Sequence, residues 1–140
     1  MRSTWVLTRG TGMRVLHAVL EGRDHTRSEP CVVSQLTNLV GEQWDGITMK
    51  VANERWNDDH GAWWALGLEG SSTGDEFLRA DLTRIVNGLR GIAEECAVAF
   101  IVGVDGDERV AFGLSPATGK VPAMRHPEQS TESVVDFLLL

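Results

Sequence analysis

The sequence predicts an α+β domain: a mostly antiparallel sheet built from about three β-hairpins and covered by two to three helices, in the order ββ-α-ββ-α-ββ-α. Three observations lead there. Apolar segments flank the turn sequences Gly10-Thr11-Gly12 and Asp105-Gly106, whose glycines supply the positive φ of tight hairpins. Ile47, Met49 and Val51 alternate with Thr48, Lys50 and Ala52, as in a strand with one buried face. Leu78, Leu82, Ile85, Leu89, Ile92 and Cys96 step by four and three residues, one apolar stripe at the helical period.

Taken in order, Thr4–Thr8 and Met13–Glu21 read as the first hairpin, joined at Arg9-Gly10-Thr11-Gly12. A polar loop over 22–29 follows. From Ser28 the pattern becomes helical, with Pro30 in the first turn, where its missing N–H costs nothing. Val32, Val33, Leu36, Leu39 and Val40 form the buried stripe and Gly41 ends it; a buried strand over Cys31–Leu36 is the alternative. Ile47–Glu54 and Ala62–Glu69 are the arms of a second hairpin, separated by the polar turn Arg55–Gly61. Gly70-Ser71-Ser72-Thr73-Gly74 is a loop, and Thr73 with Glu76 makes a capping box for the long helix. Gly88 and Gly91 interrupt that helix, which tolerates them if its backbone lies close to a sheet. Ala97–Val104 and Arg109–Leu114 form the third hairpin around Asp105-Gly106-Asp107-Glu108. A loop with Pro116, Pro122 and Pro127 leads to a last helix over 130–140. Its apolar end must dock on the domain or on a second subunit.

At 140 residues the chain is expected to be a single domain, 1–140. Its 42% apolar and 24% charged residues are ordinary globular usage, which makes disorder, collagen-like repeats and coiled coil poor fits. No run of 18 apolar residues is present, so no spanning helix is expected. The apolar stretch near Met1 is too short for a secretory leader. Cys31 and Cys96 form no Cys-x-x-Cys and read as small buried hydrophobes. A cytoplasmic protein is the expectation.

The net charge of −7 is unevenly spread. Residues 41–108 carry fourteen Asp and Glu against five Lys and Arg. That argues against direct binding of nucleic acid, which needs clustered cations to displace counterions, and suits a basic protein partner or simple solubility.

Motifs for chemistry are weak. Gly70-Ser71-Ser72-Thr73-Gly74 fits Gly-x-Ser-x-Gly between strand and helix, and Asp105 or Asp107 and His126 follow in the order of a hydrolase triad, with Ser72 as nucleophile. That chemistry belongs to a larger, mostly parallel sheet, and Asp105 is already explained by its turn. Gly113–Val121 departs from a phosphate-binding loop in glycine spacing and at Val121. His126-Pro127-Glu128 lacks the paired thiolates of a zinc deaminase. His17, His25, His60 and His126 are scattered, with no metal-ligand spacing. No cofactor or metal is expected.

Tryptophan is the unusual feature: five Trp and no Tyr, with Trp44, Trp56, Trp63 and Trp64 close together in sequence. Adjacent Trp63 and Trp64 on a strand point to opposite faces. One belongs to the core and the other to an outer face. A part-exposed Trp among carboxylates has the composition of a hot spot for a basic partner. The expected partner-binding residues are Glu54, Trp56, Asp58, Asp59, His60, Trp63 and Trp64; the alternative is that the tryptophans only cover the sheet. Three functions are thus in view. The first is a small acidic, non-catalytic binding module of inhibitor or immunity type that neutralises a basic toxin or nuclease. The second is a small-molecule binder or small hydrolase with a pocket between sheet and helices, lined by the tryptophans, and Ser72 as candidate nucleophile. The third is an oligomeric structural protein, a homodimer joined through Phe137, Leu138 and Leu140.

Overall fold

The computed structural model describes residues 13–113 and 130–140. The expected strand Thr4–Thr8, the turn at Gly10-Thr11-Gly12, the proline-containing loop and His126 lie outside the described residues. Within them the order is β1 (Val15–Leu20), α1 (Glu29–Val40), β2 (Ile47–Asp58), β3 (Gly61–Ser72), α2 (Arg79–Cys96), β4 (Ala99–Val104), β5 (Asp107–Gly113) and α3 (Thr131–Leu138). The strands form one antiparallel sheet in the order β2-β3-β1-β4-β5, the α+β architecture expected. β1 is central, with Val15 opposite Ser71 of β3 and Leu16 opposite Val104 of β4.

Alternation along the strands builds the core. Leu16, Ala18 and Leu20 of β1, Leu66 and Leu68 of β3, and Phe100 and Val102 of β4 join one buried cluster with Leu36, Leu82, Ile85, Leu89 and Leu138 from the helices. Each fully buried Leu, Ile or Phe contributes about 2 kcal/mol to folding. The period-four stripe of α2 is this buried face. Where α1 and α2 cross, a β-carbon at Gly88 would lie 2.8 Å from Leu39 Cδ1. The glycine therefore admits a neighbouring helix, not a sheet as expected.

Four boundaries differ from expectation. The polar segment Arg55–Gly61 is not a loop: β2 runs on to Asp58 and β3 starts at Gly61, leaving only Asp59-His60 as the turn. Cross-strand ring and guanidinium pairs hold these polar residues in strand, which period alone does not reveal. Gly70, Ser71 and Ser72 complete β3 and are not a loop. No capping box forms at Thr73. The helix begins at Arg79 with Leu78 at its N-cap, and Glu76 faces Arg14 Nη1 at 3.4 Å instead. Asp81 in the first turn is buried, and its carboxylate accepts from Gly46 N (2.7 Å) and Asp45 N (3.3 Å), pinning the segment that leads into β2.

The cysteines overturn their reading. Cys31 on α1 and Cys96 at the end of α2 form a disulfide, with Cα atoms 5.9 Å apart and a sequence separation of 65. They are a covalent staple and not a pair of buried hydrophobes. The spacing is too long for sequence alone to reveal it.

The β4–β5 turn has positive φ at both Asp105 (55°) and Gly106 (84°), as a two-residue hairpin requires. Ser130 caps α3 by accepting from Ser133 N at 3.2 Å. Arg109 Nη1 donates to the carbonyls of Phe137, Leu138 and Leu140, placing a cation where the helix dipole favours one. The last helix thus docks on its own domain, with Val134, Val135 and Leu138 buried.

Candidate protein-interaction site

β1 pairs with β3 only between Gly67 and Ser71, whereas β2 and β3 pair with each other from Ile47–Ser72 out to Asp58–Gly61. The distal hairpin, Asn53–Asp58 with Gly61–Leu66, therefore runs past its neighbour as a two-stranded arm. Such a ribbon is marginal alone, and side chains on both faces brace it.

On one face Trp56 and Trp63 are cross-strand partners with near-parallel rings, centroids 6.3 Å apart and planes 13° apart. The Arg23 guanidinium lies 3.6 Å from the Trp63 ring centroid on the same stack. Its Nη1 donates to the His60 carbonyl at 3.3 Å. Asp58 Oδ1 accepts from His60 N at 2.8 Å and from the Trp63 indole N–H at 2.9 Å. These bonds fix the turn, where Gly61 takes φ 112°. Glu54, two residues before Trp56, shares this face and is exposed. Asp59 at the tip is exposed. Neither the Glu54 nor the Asp59 carboxylate has a hydrogen-bond or ion-pair partner among the described residues.

Trp64 occupies the reverse face, packed against the core. Arg55 lies 3.7 Å over its ring. The indole N–H donates to Asn53 Oδ1 at 2.7 Å, and Asn53 Nδ2 donates to Glu29 Oε2 at 3.0 Å. Glu29 also faces Arg55 at 3.5 Å. Buried His25 donates from Nε2 to the Trp64 carbonyl at 2.9 Å, and burial lowers its pKa against the opposing pull of that bond, Asp24 and Glu29.

Of the seven expected partner-binding residues, Glu54, Trp56, Asp58 and Trp63 thus share one face, Asp59 and His60 form the tip, and Trp64 stands apart. Carboxylates do stand beside the exposed indole, Asp58 on its N–H and Glu54 on the same face, but they do not cover the rings. The charges stacked on the two tryptophans are the arginines Arg23 and Arg55, each supplying a cation–π contact worth about 0.5–1 kcal/mol. Arg23 escaped sequence reasoning because it sits in a featureless polar loop forty residues upstream. Arg55 carried a weak signal, its register opposite Trp64.

The other candidates are placed differently. Ser72 is buried; its hydroxyl donates to the Gly74 carbonyl at 2.6 Å and accepts from Arg14 N at 2.8 Å. Asp105 accepts from Val15 N at 2.9 Å and pairs with Arg14 Nε at 2.8 Å. Both groups are engaged in holding strand ends together. An open concavity of about 340 Å³ beside Phe112 is lined by Arg90, Gly91, Glu94, Phe112 and Gly113, none of them a tryptophan or Ser72. No group of three His, Cys, Asp or Glu suited to a metal occurs among the described residues. No described helix is long and apolar enough to cross a membrane. At the C-terminus Leu138 is consumed by its own core, Phe137 is half-buried, and only Leu140 is largely exposed. Leu138 therefore has no surface to offer a second subunit.

Comparison with known protein families, curated proteins and solved structures finds no match for this chain.

Proposed function

We propose that this protein is a small acidic binding module, of inhibitor or immunity type, which grips a basic protein with the outer face and tip of the β2–β3 arm. The observation that carries the reading is the juxtaposition on that arm of a part-exposed Trp56–Trp63 pair with the Glu54 and Asp59 carboxylates, which have no partner among the described residues. Rigid aromatic surface lowers the entropy lost on binding, and rim carboxylates steer a cationic partner. The bonds from Asp58 and Arg23 hold the indole of Trp63 in place before any partner arrives, which favours affinity through preorganisation. The acidic balance of residues 41–108 supports the same partner chemistry.

The working place we propose is oxidising, in place of the cytoplasm expected from sequence. Disulfides persist in such compartments and are rare in the reducing cytosol, and the Cys31–Cys96 bond supports that choice.

The reading is tested by affinity capture with wild-type protein and a Trp63→Ala variant as parallel baits, bound proteins being identified by mass spectrometry. A basic protein held stoichiometrically by the wild type and lost with Trp63→Ala is the expected result. Equal capture by both baits moves the interface off the arm, and a partner of acidic composition refutes the charge argument.

A further inference from the structure

Among the described residues the sheet ends at β2, and the outer side of that strand carries a self-complementary pattern. Thr73 N donates to Gly46 O at 3.0 Å, extending the register in which Ile47 faces Ser72. Antiparallel strands alternate hydrogen-bonded and non-hydrogen-bonded pairs. The even-numbered residues of β2 therefore bond to β3, and Ile47, Met49, Val51, Asn53, Arg55 and Asn57 turn their backbone N–H and C=O groups outward. This edge is twelve residues long, with no proline and an unbroken register. The opposite edge strand β5 is shorter, and its pairing is broken by a bulge at Val102/Gly103.

A long unblunted edge is a template for another strand. A lysine in the middle of such an edge ordinarily blocks pairing, and Lys50, 72% exposed in its side chain, sits there. Four residues on stands exposed Glu54, whose side chain leaves the sheet on the same face. Two copies of β2 pairing antiparallel about a two-fold axis at Ala52 place Lys50 of each chain opposite Glu54 of the other. That register also sets Val51 against Asn53, Met49 against Arg55 and Ile47 against Asn57, all residues with outward backbone groups. Shifting the axis to Lys50 or Glu54 opposes like charges instead. Lys50 already faces Glu69 of β3 at 3.6 Å, so the chosen register continues an alternating row of Glu69, Lys50 and the second chain's Glu54. Ala52, small and buried, puts no bulk on the axis.

We infer that the chain forms a two-fold dimer in which β2 pairs with β2 of a second copy, joining the two sheets edge to edge with both helical layers on the same side. This dimer engages Glu54 at the sheet edge, leaves Trp63 and the Asp59 tip of each arm clear of the β2–β2 seam, and does not depend on any basic partner. It also differs from the dimer expected at Phe137, Leu138 and Leu140.

The test uses the full disulfide-bonded chain alone. Light scattering coupled to gel filtration should give a mass twice the 15.3 kDa of the chain. Glu54→Lys should raise the dimer dissociation constant about tenfold or more, because two attractive cross-strand pairs become repulsive. Adding Lys50→Glu should bring it back towards wild type, incompletely because Glu69 then faces a like charge. Register is read separately: Ala52→Cys should cross-link under mild oxidation and Lys50→Cys should not. Circular dichroism confirms that each variant is folded. A wild type that stays monomeric at every concentration overturns the proposal and leaves the edge to a strand of another protein. Equal cross-linking of both cysteine variants, or a folded charge-swap variant no more dimeric than Glu54→Lys, also overturns it.

Discussion

Removing the Cys31–Cys96 bond should lower stability substantially without abolishing the fold. The bond closes a loop of 65 positions, for which the chain-entropy relation gives about 4 kcal/mol of destabilisation of the unfolded state. Domains of this size are stable by about 5–15 kcal/mol, so the reduced chain should still fold. The bond ties α1 to the far end of α2, and the buried contacts of Leu36 and Leu39 with the α2 stripe remain when it is cut. With a urea m-value of about 2 kcal/mol/M, the midpoint should fall by about 2 M. The assay is urea unfolding followed by tryptophan fluorescence for the wild type, with and without reductant, and for Cys31→Ala/Cys96→Ala. Trp44 is a suitable reporter, since its indole N–H donates to the Leu39 carbonyl at the end of α1. Coincident unfolding curves would refute the reasoning. So would two titratable thiols in the native, unreduced protein.

Further consequences follow from the same geometry. Burial lowers the His17 pKa to about 4 against the opposing pull of Asp105 and Asp107, so the native state excludes a proton that the unfolded chain takes up near pH 6.5. The associated stability is therefore complete above pH 6.5 and about 3 kcal/mol of it is lost as pH falls towards 4; chemical unfolding of His17→Gln across that range should lack this part of the slope, and an identical slope would contradict the assignment. Asp81→Ala should cost about 2 kcal/mol by stranding the Gly46 and Asp45 amides, with faster hydrogen exchange at Gly46; unchanged exchange would show that the carboxylate does not hold that segment. Gly67→Ala should destabilise by about 3 kcal/mol or more, because a β-carbon there would overlap the Ala18 carbonyl oxygen on the neighbouring strand; thermal melting checks this, and a wild-type midpoint would refute it.

The parts of this fold that could be read from sequence are those whose physics is local. The stripe from Leu82 to Ile92 reports one buried helical face directly, and Asp105-Gly106 is a turn because few other dipeptides accept positive φ twice. Pro30 and Gly41 bracket α1 for equally local reasons. What escaped depends on partners distant in sequence. β1 lies between β3 and β4, a placement that no property of Val15–Leu20 reveals. The start of α2 lies beyond the Thr73–Glu76 pair because Asp81 reaches across to Gly46 while those two residues, a capping pair by spacing, have other surroundings. Of the candidate site, the opposed faces of Trp63 and Trp64 followed from strand alternation. The arginines stacked on them did not, since Arg23 reaches Trp63 only once β1 has delivered its loop beside the arm.

Reversing Asp58 and Asp59 together would mix a change of charge with a change of structure. Asp58 holds both His60 N and the Trp63 indole, so its loss would disturb the arm itself. Asp59 carries the same charge at the tip without such bonds among the described residues. The most direct test of the proposed function is therefore the association rate of the wild type and Asp59→Lys with the captured partner, measured over a range of ionic strength. Electrostatic steering by the arm predicts that Asp59→Lys associates several-fold more slowly and with a shallower salt dependence, at an unchanged melting temperature. Superimposable association rates at every salt concentration would contradict the arm as the site that meets a basic protein.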